Sequence, residues 1–158
     1  MTRGHVIDTC RLCGGAGLTK IISFGEVPLG NDLRQTAAEA RSAADYPLEL
    51  FRCSACGHFQ LGFAVSPQLL YATNYTYLSG ISQSFVRHFD DYAEWAMQRC
   101  MLPQSALVVD VGSNDGTALA AFKTRGLAVC GVDPAQMPAK IANRNGIPTL
   151  NTFFNDDA

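Results

Sequence analysis

Two groups of residues in this 158-residue chain have the types and spacing to do chemistry. The first is built on thiols. Cys10-Arg-Leu-Cys13 and Cys53-Ser-Ala-Cys56 are C-x-x-C pairs, each followed by a glycine, Gly14 and Gly57. One such turn places two thiolates on a metal, and two complete a closed tetrahedral four-sulfur shell with no open position for catalysis. Glycine after the second cysteine lets the turn take positive φ and aim N–H groups at the sulfurs. The spacing predicts structural zinc held by Cys10, Cys13, Cys53 and Cys56. The competing readings are two redox dithiols, which ordinarily sit in a βαβ context lacking here, or four unrelated buried thiols. His58 would be a ligand only in place of a cysteine. Cys100 and Cys130 have no partner at metal spacing and read as structural.

The second group is Leu107-Val-Val-Asp-Val-Gly-Ser-Asn-Asp-Gly116. An apolar strand runs into a turn of two glycines and three small polar residues, and a helical pattern follows. This layout presents backbone N–H groups to a ligand at the carboxyl end of a strand. The dinucleotide fingerprint, Gly-x-Gly-x-x-Gly, has a middle glycine that admits a pyrophosphate. Asn114 stands there instead, which disfavours a pyrophosphate. Asp133 follows about 20 residues after Gly112, where an acid suits the two hydroxyls of a ribose. Asp110 can face a positive sulfonium–amino acid end. Gly112, Ser113, Asn114, Gly116, Asp110 and Asp133 are therefore the candidate cofactor residues, for a nucleoside cofactor without a pyrophosphate. The bland alternative is an ordinary β–turn–α unit with incidental acids.

The elements that must position these groups follow from local pattern. Met1–Asp8 reads as a frayed start. Leu18–Phe24 reads as a strand, Gly25–Leu33 as a loop and Gln35–Ala44 as a short helix or insertion. Tyr46–Arg52 is a strand leading into the second cysteine pair, and Phe59–Phe63 is its return. Gln68–Ala72 is a helical turn, and Asn74–Gly80 is a polar-aromatic loop. Ser82 caps a helix whose stripe is Phe85, Val86, Phe89, Tyr92, Ala93, Ala96 and Met97. Pro103 ends it. Leu107–Val111, Asp115–Arg125, Leu127–Val132, Ala135–Asn145 and Ile147–Leu150 then alternate strand and helix, which implies a parallel sheet. The fold class is α/β: a small β-rich zinc unit (1–66), a helical linker and loop (67–105), and a partial Rossmann-like cofactor domain (106–158). A parallel sheet needs both faces covered. Two strands and the start of a third are too few, so the pattern reads as the N-terminal portion of a larger enzyme.

Composition removes several function classes. Charged residues are 16% of the chain, below the roughly 25% average, and hydrophobic residues 47%, so the chain is globular rather than disordered. A net charge of −2 without a Lys/Arg cluster argues against a zinc ribbon that binds nucleic acid. No apolar run reaches the roughly 18 residues of a membrane span, and the first residues lack a signal-peptide core. A cytoplasmic location is expected.

The order of these parts resembles a known family. The four-cysteine unit is accompanied by Val27-Pro-Leu-Gly-Asn31 and Pro47-Leu-Glu-Leu-Phe-Arg-Cys53. Tyr75-Thr-Tyr77-Leu-Ser79 and a helix containing His88 follow. Val109–Gly116 and Gly131-Val-Asp-Pro134 come last. Together they resemble the sugar C-methyltransferases, S-adenosylmethionine-dependent enzymes acting on nucleotide-linked keto-deoxysugars. The resemblance implies zinc at the four cysteines, cofactor contacts from Gly112–Gly116 and Asp133, and Tyr75, Tyr77 and Ser79 facing the active cleft. Tyr75 and Tyr77 are the candidate catalytic residues. A loop packed over the domain junction is the alternative for them, and a structural histidine is the plainer reading of His88. Members are roughly twice this length or more, and their second half supplies a histidine-type base not identifiable here. The rival functions are a catalytically incomplete zinc-binding module and a nicotinamide-dependent oxidoreductase. The substrate expected is a nucleotide sugar, with no nucleic acid or membrane partner.

Overall fold

A computed structural model describes residues 3–73 and 75–156. Asn74, part of the predicted aromatic loop, lies outside them, as do the first two and last two residues. The chain divides into two compact units, Met1–Leu70 and Tyr71–Ala158. The stretch 67–105 falls almost wholly in the second.

The first unit is antiparallel. β2 (Leu18–Pro28) pairs with β3 (Asp45–Cys53), and β3 pairs with β4 (Phe59–Leu61). β2 continues past Phe24, through the stretch predicted as loop, as far as Pro28. Register shifts between Lys20 and Ile22 and between Ser23 and Glu26 absorb the irregular Gly25, whose φ is 79°. A bulge lets a strand pass residues that local pattern reads as a break. α1 (Ala37–Arg41) is a single capped turn, with Thr36 and Glu39 closing a reciprocal capping box.

Two further expectations are corrected here. Gly4–Val6, in the segment predicted to fray, forms strand β1. It pairs with β5 (Phe63–Val65), Val6 opposite Phe63. The predicted return strand 59–63 breaks at Gly62, so that β4 stays with β3 while β5 turns to β1. A Cβ on Gly62 would sit 2.2 Å from Phe51 Cε2, so only glycine lets the chain cross that ring. Little of this unit is core. Among its described side chains Cys10, Tyr46, Cys53 and Gln60 are buried.

The second unit is α/β. β6 (Leu107–Val111), β7 (Ala128–Val132) and β8 (Thr149–Leu150) form a parallel sheet in that order. α3 (Thr117–Thr124) and α4 (Gln136–Arg144) connect them. α2 (Gln83–Cys100) starts where Ser82 accepts the Phe85 N–H. It ends with Met101 in the left-handed region, followed by Pro103. Of its predicted stripe, Ala93 and Ala96 enter the core with Leu119, Phe122, Leu127, Val129, Ala142 and Ile147. Phe85 and Tyr92 stay about half exposed. The opposite side of β6 is bare, with Leu107, Val109 and Val111 each at least half exposed.

Candidate metal centre and strand-tip site

The four cysteines meet in the first unit. Cys10 Sγ lies 3.6 Å from Cys56 Sγ, and Cys13 Sγ lies 3.7 Å from Cys53 Sγ. All four sulfurs fall within 4.8 Å of one another. A tetrahedron with Zn–S bonds of about 2.3 Å has edges of about 3.8 Å, so the spacing fits a tetrathiolate zinc site. It is far too long for disulfides, whose sulfurs bond at about 2.05 Å. Gly14 (φ 74°) and Gly57 (φ 77°) take the left-handed conformation the turns require. Gly14 N then donates to Cys10 O, and Gly57 N to Cys53 O.

The electrostatics suit thiolates. The Cys13 backbone N–H is the largest cause holding the Cys10 thiol below its ordinary value. The Cys56 N–H does the same for Cys53, bringing it down to about 7. Cys56 receives the His58 N–H, but crowding by the other sulfurs and burial outweigh it and push Cys56 up to about 12. Three neighbouring thiols without a cation between them resist a further negative charge, and a divalent metal removes that resistance. Gln60 is a support that sequence reasoning missed. Its Oε1 accepts the Arg11 N–H and its Nε2 donates to Thr9 O, pinning the first cysteine turn to β4. Its only signal was a polar residue at an inward strand position.

At the tips of β6 and β7 the glycine turn takes its predicted shape, with Gly112 at φ 83°, Asn114 at 53° and Gly116 at 78°. Four of its N–H groups, however, are used within the chain. Gly112 N and Ser113 N donate to Val132 O, and Gly116 N to Ser113 O. Asn114 N donates to Asp133 Oδ2 at 2.7 Å. The turn is therefore not the open cradle of N–H donors that the strand–turn–helix pattern predicts. Its open point is Gly112, where an added Cβ would meet nothing within 4 Å.

The candidate side chains are distributed unevenly. Ser113 is buried, its hydroxyl without a hydrogen-bond partner among the described residues and packed against Gly131, where an added Cβ would lie 2.4 Å away. The buried Asp133 accepts from Asn114 N through one oxygen and from Ala135 N through the other. Asp110 and Asp133 are close enough to feel each other. Burial first, then the Asp133 charge, pushes the Asp110 carboxyl above its ordinary value. Tyr75 joins them, its phenol pushed up by burial and then by Asp133. The Tyr75 ring stands 6.2 Å from Tyr71 and 6.5 Å from Tyr77. Ser79 reaches the turn through its backbone, donating to Asn114 Oδ1 at 3.0 Å. His88 lies instead among Phe85 and Phe89 on α2.

Comparison with known proteins bears on the cysteine unit and on the chain as a whole. Residues 10–71 match a family described as "Putative zinc binding domain". A C-methyltransferase, NovU of Streptomyces niveus, is 32% identical over 148 residues, 94% of this chain. The chain is thus similar to a C-methyltransferase along nearly all of its own length. It spans 35% of that relative's length. The similarity therefore extends from the four-cysteine unit across the strand-tip turn, and the matched zinc-binding domain contains all four clustered sulfurs. Asp115 lies within the predicted Gly112–Gly116 turn but was not singled out there. Its Oδ1 accepts from Thr117 N and Oγ1, and its Oδ2 accepts from Gly80 N. The visible signal was an acid one residue before a helix-opening glycine. Among the described residues no helix is long and apolar enough to cross a membrane.

Proposed function

We propose that this chain carries the structural zinc unit and the cofactor-receiving strand tips of an S-adenosylmethionine-dependent C-methyltransferase. The substrate proposed is a nucleotide-linked keto-deoxysugar, and the setting the cytoplasm. The observation that carries the reading is the pairing of Asp110 and Asp133 at adjacent strand tips beside the open face of Gly112. Two carboxylates there repel a phosphate and attract a cation, and S-adenosylmethionine brings a sulfonium and an ammonium.

The cofactor supplies an electrophilic methyl group. The chain's residues supply position and charge. Gly112 admits close approach, Asp110 faces the cationic end, and the free lone pairs of Asp133 are available to ribose hydroxyls. Tyr75 and Tyr77 border the same tips, where a phenol can hydrogen-bond a substrate keto oxygen as it gains enolate character. Removing the proton α to that keto group needs a general base, and no residue described here takes that role.

Titration calorimetry of the 158-residue chain with S-adenosylhomocysteine tests the reading. One-to-one binding is expected, with no binding of NAD. Binding of NAD without S-adenosylhomocysteine would transfer the site to nicotinamide chemistry. A pH dependence follows as well. Asp110 takes up its proton at a higher pH than an ordinary carboxyl, so its protonated form favours the fold and its charged form costs stability. Attraction of a cation needs the charged form. Affinity for S-adenosylmethionine should therefore fall as pH drops from neutral, beginning above the ordinary aspartate value of about 3.9. Asp110→Asn should weaken binding at pH 7 and remove that part of the profile, as calorimetry over a pH series would show.

A further inference from the structure

We infer that Asn114 and Asp115 are positioning residues forming a clasp, which holds the tyrosine-bearing loop against the glycine turn before any ligand binds. The functional consequence rests on the reading of the strand tips as a cofactor site. Three consecutive ties make the clasp. Asn114 Nδ2 donates to Tyr77 O at 3.0 Å, and Asn114 Oδ1 accepts from Ser79 N at 3.0 Å. One amide thus meets the carbonyl and the N–H on either side of Leu78, as an adjacent strand would. Asp115 Oδ2 accepts from Gly80 N at 2.8 Å.

Both side chains are 8% exposed, so water competes little for these bonds. Approach is close enough to require glycine. A Cβ on Gly80 would lie 2.8 Å from Thr117 Oγ1 and 3.0 Å from Asp115 Oδ2. Asn114 is held in turn, its N–H on Asp133 and its φ at 53°, a conformation asparagine tolerates. A continuous path therefore runs from the Asp133 carboxylate through Asn114 to the loop carrying Tyr77. Asn114 is the residue that replaces the pyrophosphate-admitting glycine, and the structure gives it a task of its own. It sets where the tyrosines stand relative to the bound cofactor.

Asn114→Asp and Asn114→Gly separate the clasp from simple packing. Aspartate keeps the shape and can accept from Ser79 N, but its charged form turns an acceptor toward Tyr77 O. Protonated, it regains a donor and reproduces the amide. The titratable groups around position 114 are Asp115 beside it, Asp110 and Asp133 at the strand tips, and the phenols of Tyr75 and Tyr77. The three acids disfavour a further charge, so the neutral acid should form above the ordinary carboxylate range. Glycine keeps the left-handed backbone and removes the clasp at every pH.

Amide hydrogen exchange of the ligand-free chain is the readout. Protection of the Ser79 and Gly80 amides, corrected for intrinsic exchange, should fall about tenfold or more in both variants at pH 7. It should return near pH 5 in Asn114→Asp alone, with the Gly131 and Ala120 amides unchanged throughout. Affinity for S-adenosylhomocysteine at pH 7 should fall about tenfold in both variants. Unprotected Ser79 and Gly80 amides in the wild-type chain would overturn the clasp, as would Asn114→Gly with protection intact. Should Asn114→Asp fail to fold, Asn114→Gly decides. Protected amides released by both variants, in a wild-type chain that binds no S-adenosylhomocysteine, would uphold the clasp and sink the cofactor reading instead.

Discussion

Cys53→Ser should abolish zinc retention and unfold the first unit while the second stays folded. Cys53 is fully buried. Its N–H donates to His58 O and its carbonyl receives Gly57 N, so thiolate and turn are one structure. The described buried side chains of this unit are Cys10, Tyr46, Cys53 and Gln60, and Gln60 exists to brace a cysteine turn. Ile21, Phe24 and Phe59 on its strands are more than half exposed, so apolar burial contributes little. Units of about 60 residues are marginal even with a full core. Structural zinc contributes on the order of 10–16 kcal/mol in small zinc-binding peptides at pH 7, more than such a unit has to spare. The expected measurement is one zinc per chain by atomic emission, falling to none in the variant, with strand amides of 18–65 losing exchange protection and those of 107–150 keeping it. A chelator should give the same result.

Acid should do so too, because zinc is held by thiolates and protons compete with it for the four sulfurs. A first unit whose amides stay protected after chelation would show that the strands fold without metal.

Asp133→Asn should destabilise the second unit by about 2–4 kcal/mol, the scale of one buried donor left unpaired together with one charge-assisted bond lost. The carboxylate accepts Asn114 N at 2.7 Å and Ala135 N at 2.8 Å, one on each oxygen. An amide of the same shape has one acceptor, so its NH₂ must confront one of these backbone N–H groups in a site that excludes water. The first bond holds the glycine turn, and the second starts the chain into α4. The variant should therefore melt lower and lose S-adenosylhomocysteine binding even at temperatures where it remains folded. Thermal unfolding by circular dichroism together with calorimetry separates the two effects. An unchanged melting temperature would mean that water or a backbone shift satisfies the freed donor.

Local chemistry made much of this protein legible. Two C-x-x-C-Gly turns specify a four-thiolate shell, because metal geometry constrains spacing within each turn. Ser82 as a cap, Pro138 in the first turn of α4, and Gly126 and Gly146 past the ends of α3 and α4 are each decided by neighbours a few residues away. The strand–turn–helix order needs nothing more distant. What stayed hidden was decided over long separations. Gly4–Val6 became a strand because β5 supplies its partner about sixty residues later. β5 was free to do so because Gly62 lets the chain pass Phe51 and leave β4.

The strand-tip site shows the same division. Residue types and order placed Asp110, Gly112, Asn114 and Asp133 at one end of a parallel sheet. Which groups face outward was not in the pattern. A carboxylate or an amide bonds a ligand or the chain with equal chemistry, and the outcome depends on which partner the fold brings within 3 Å. Tertiary structure turned the N–H groups of the glycine turn inward, gave Asp133 to two of its own peptide groups, and set Asn114 against a loop 35 to 37 residues earlier in the chain. The sequence by itself determined which four sulfurs meet and which residues stand at the strand tips. The physical reason that packing alone assigned the donors and acceptors is that a hydrogen bond is specified by distance and angle, and separation along the chain carries neither.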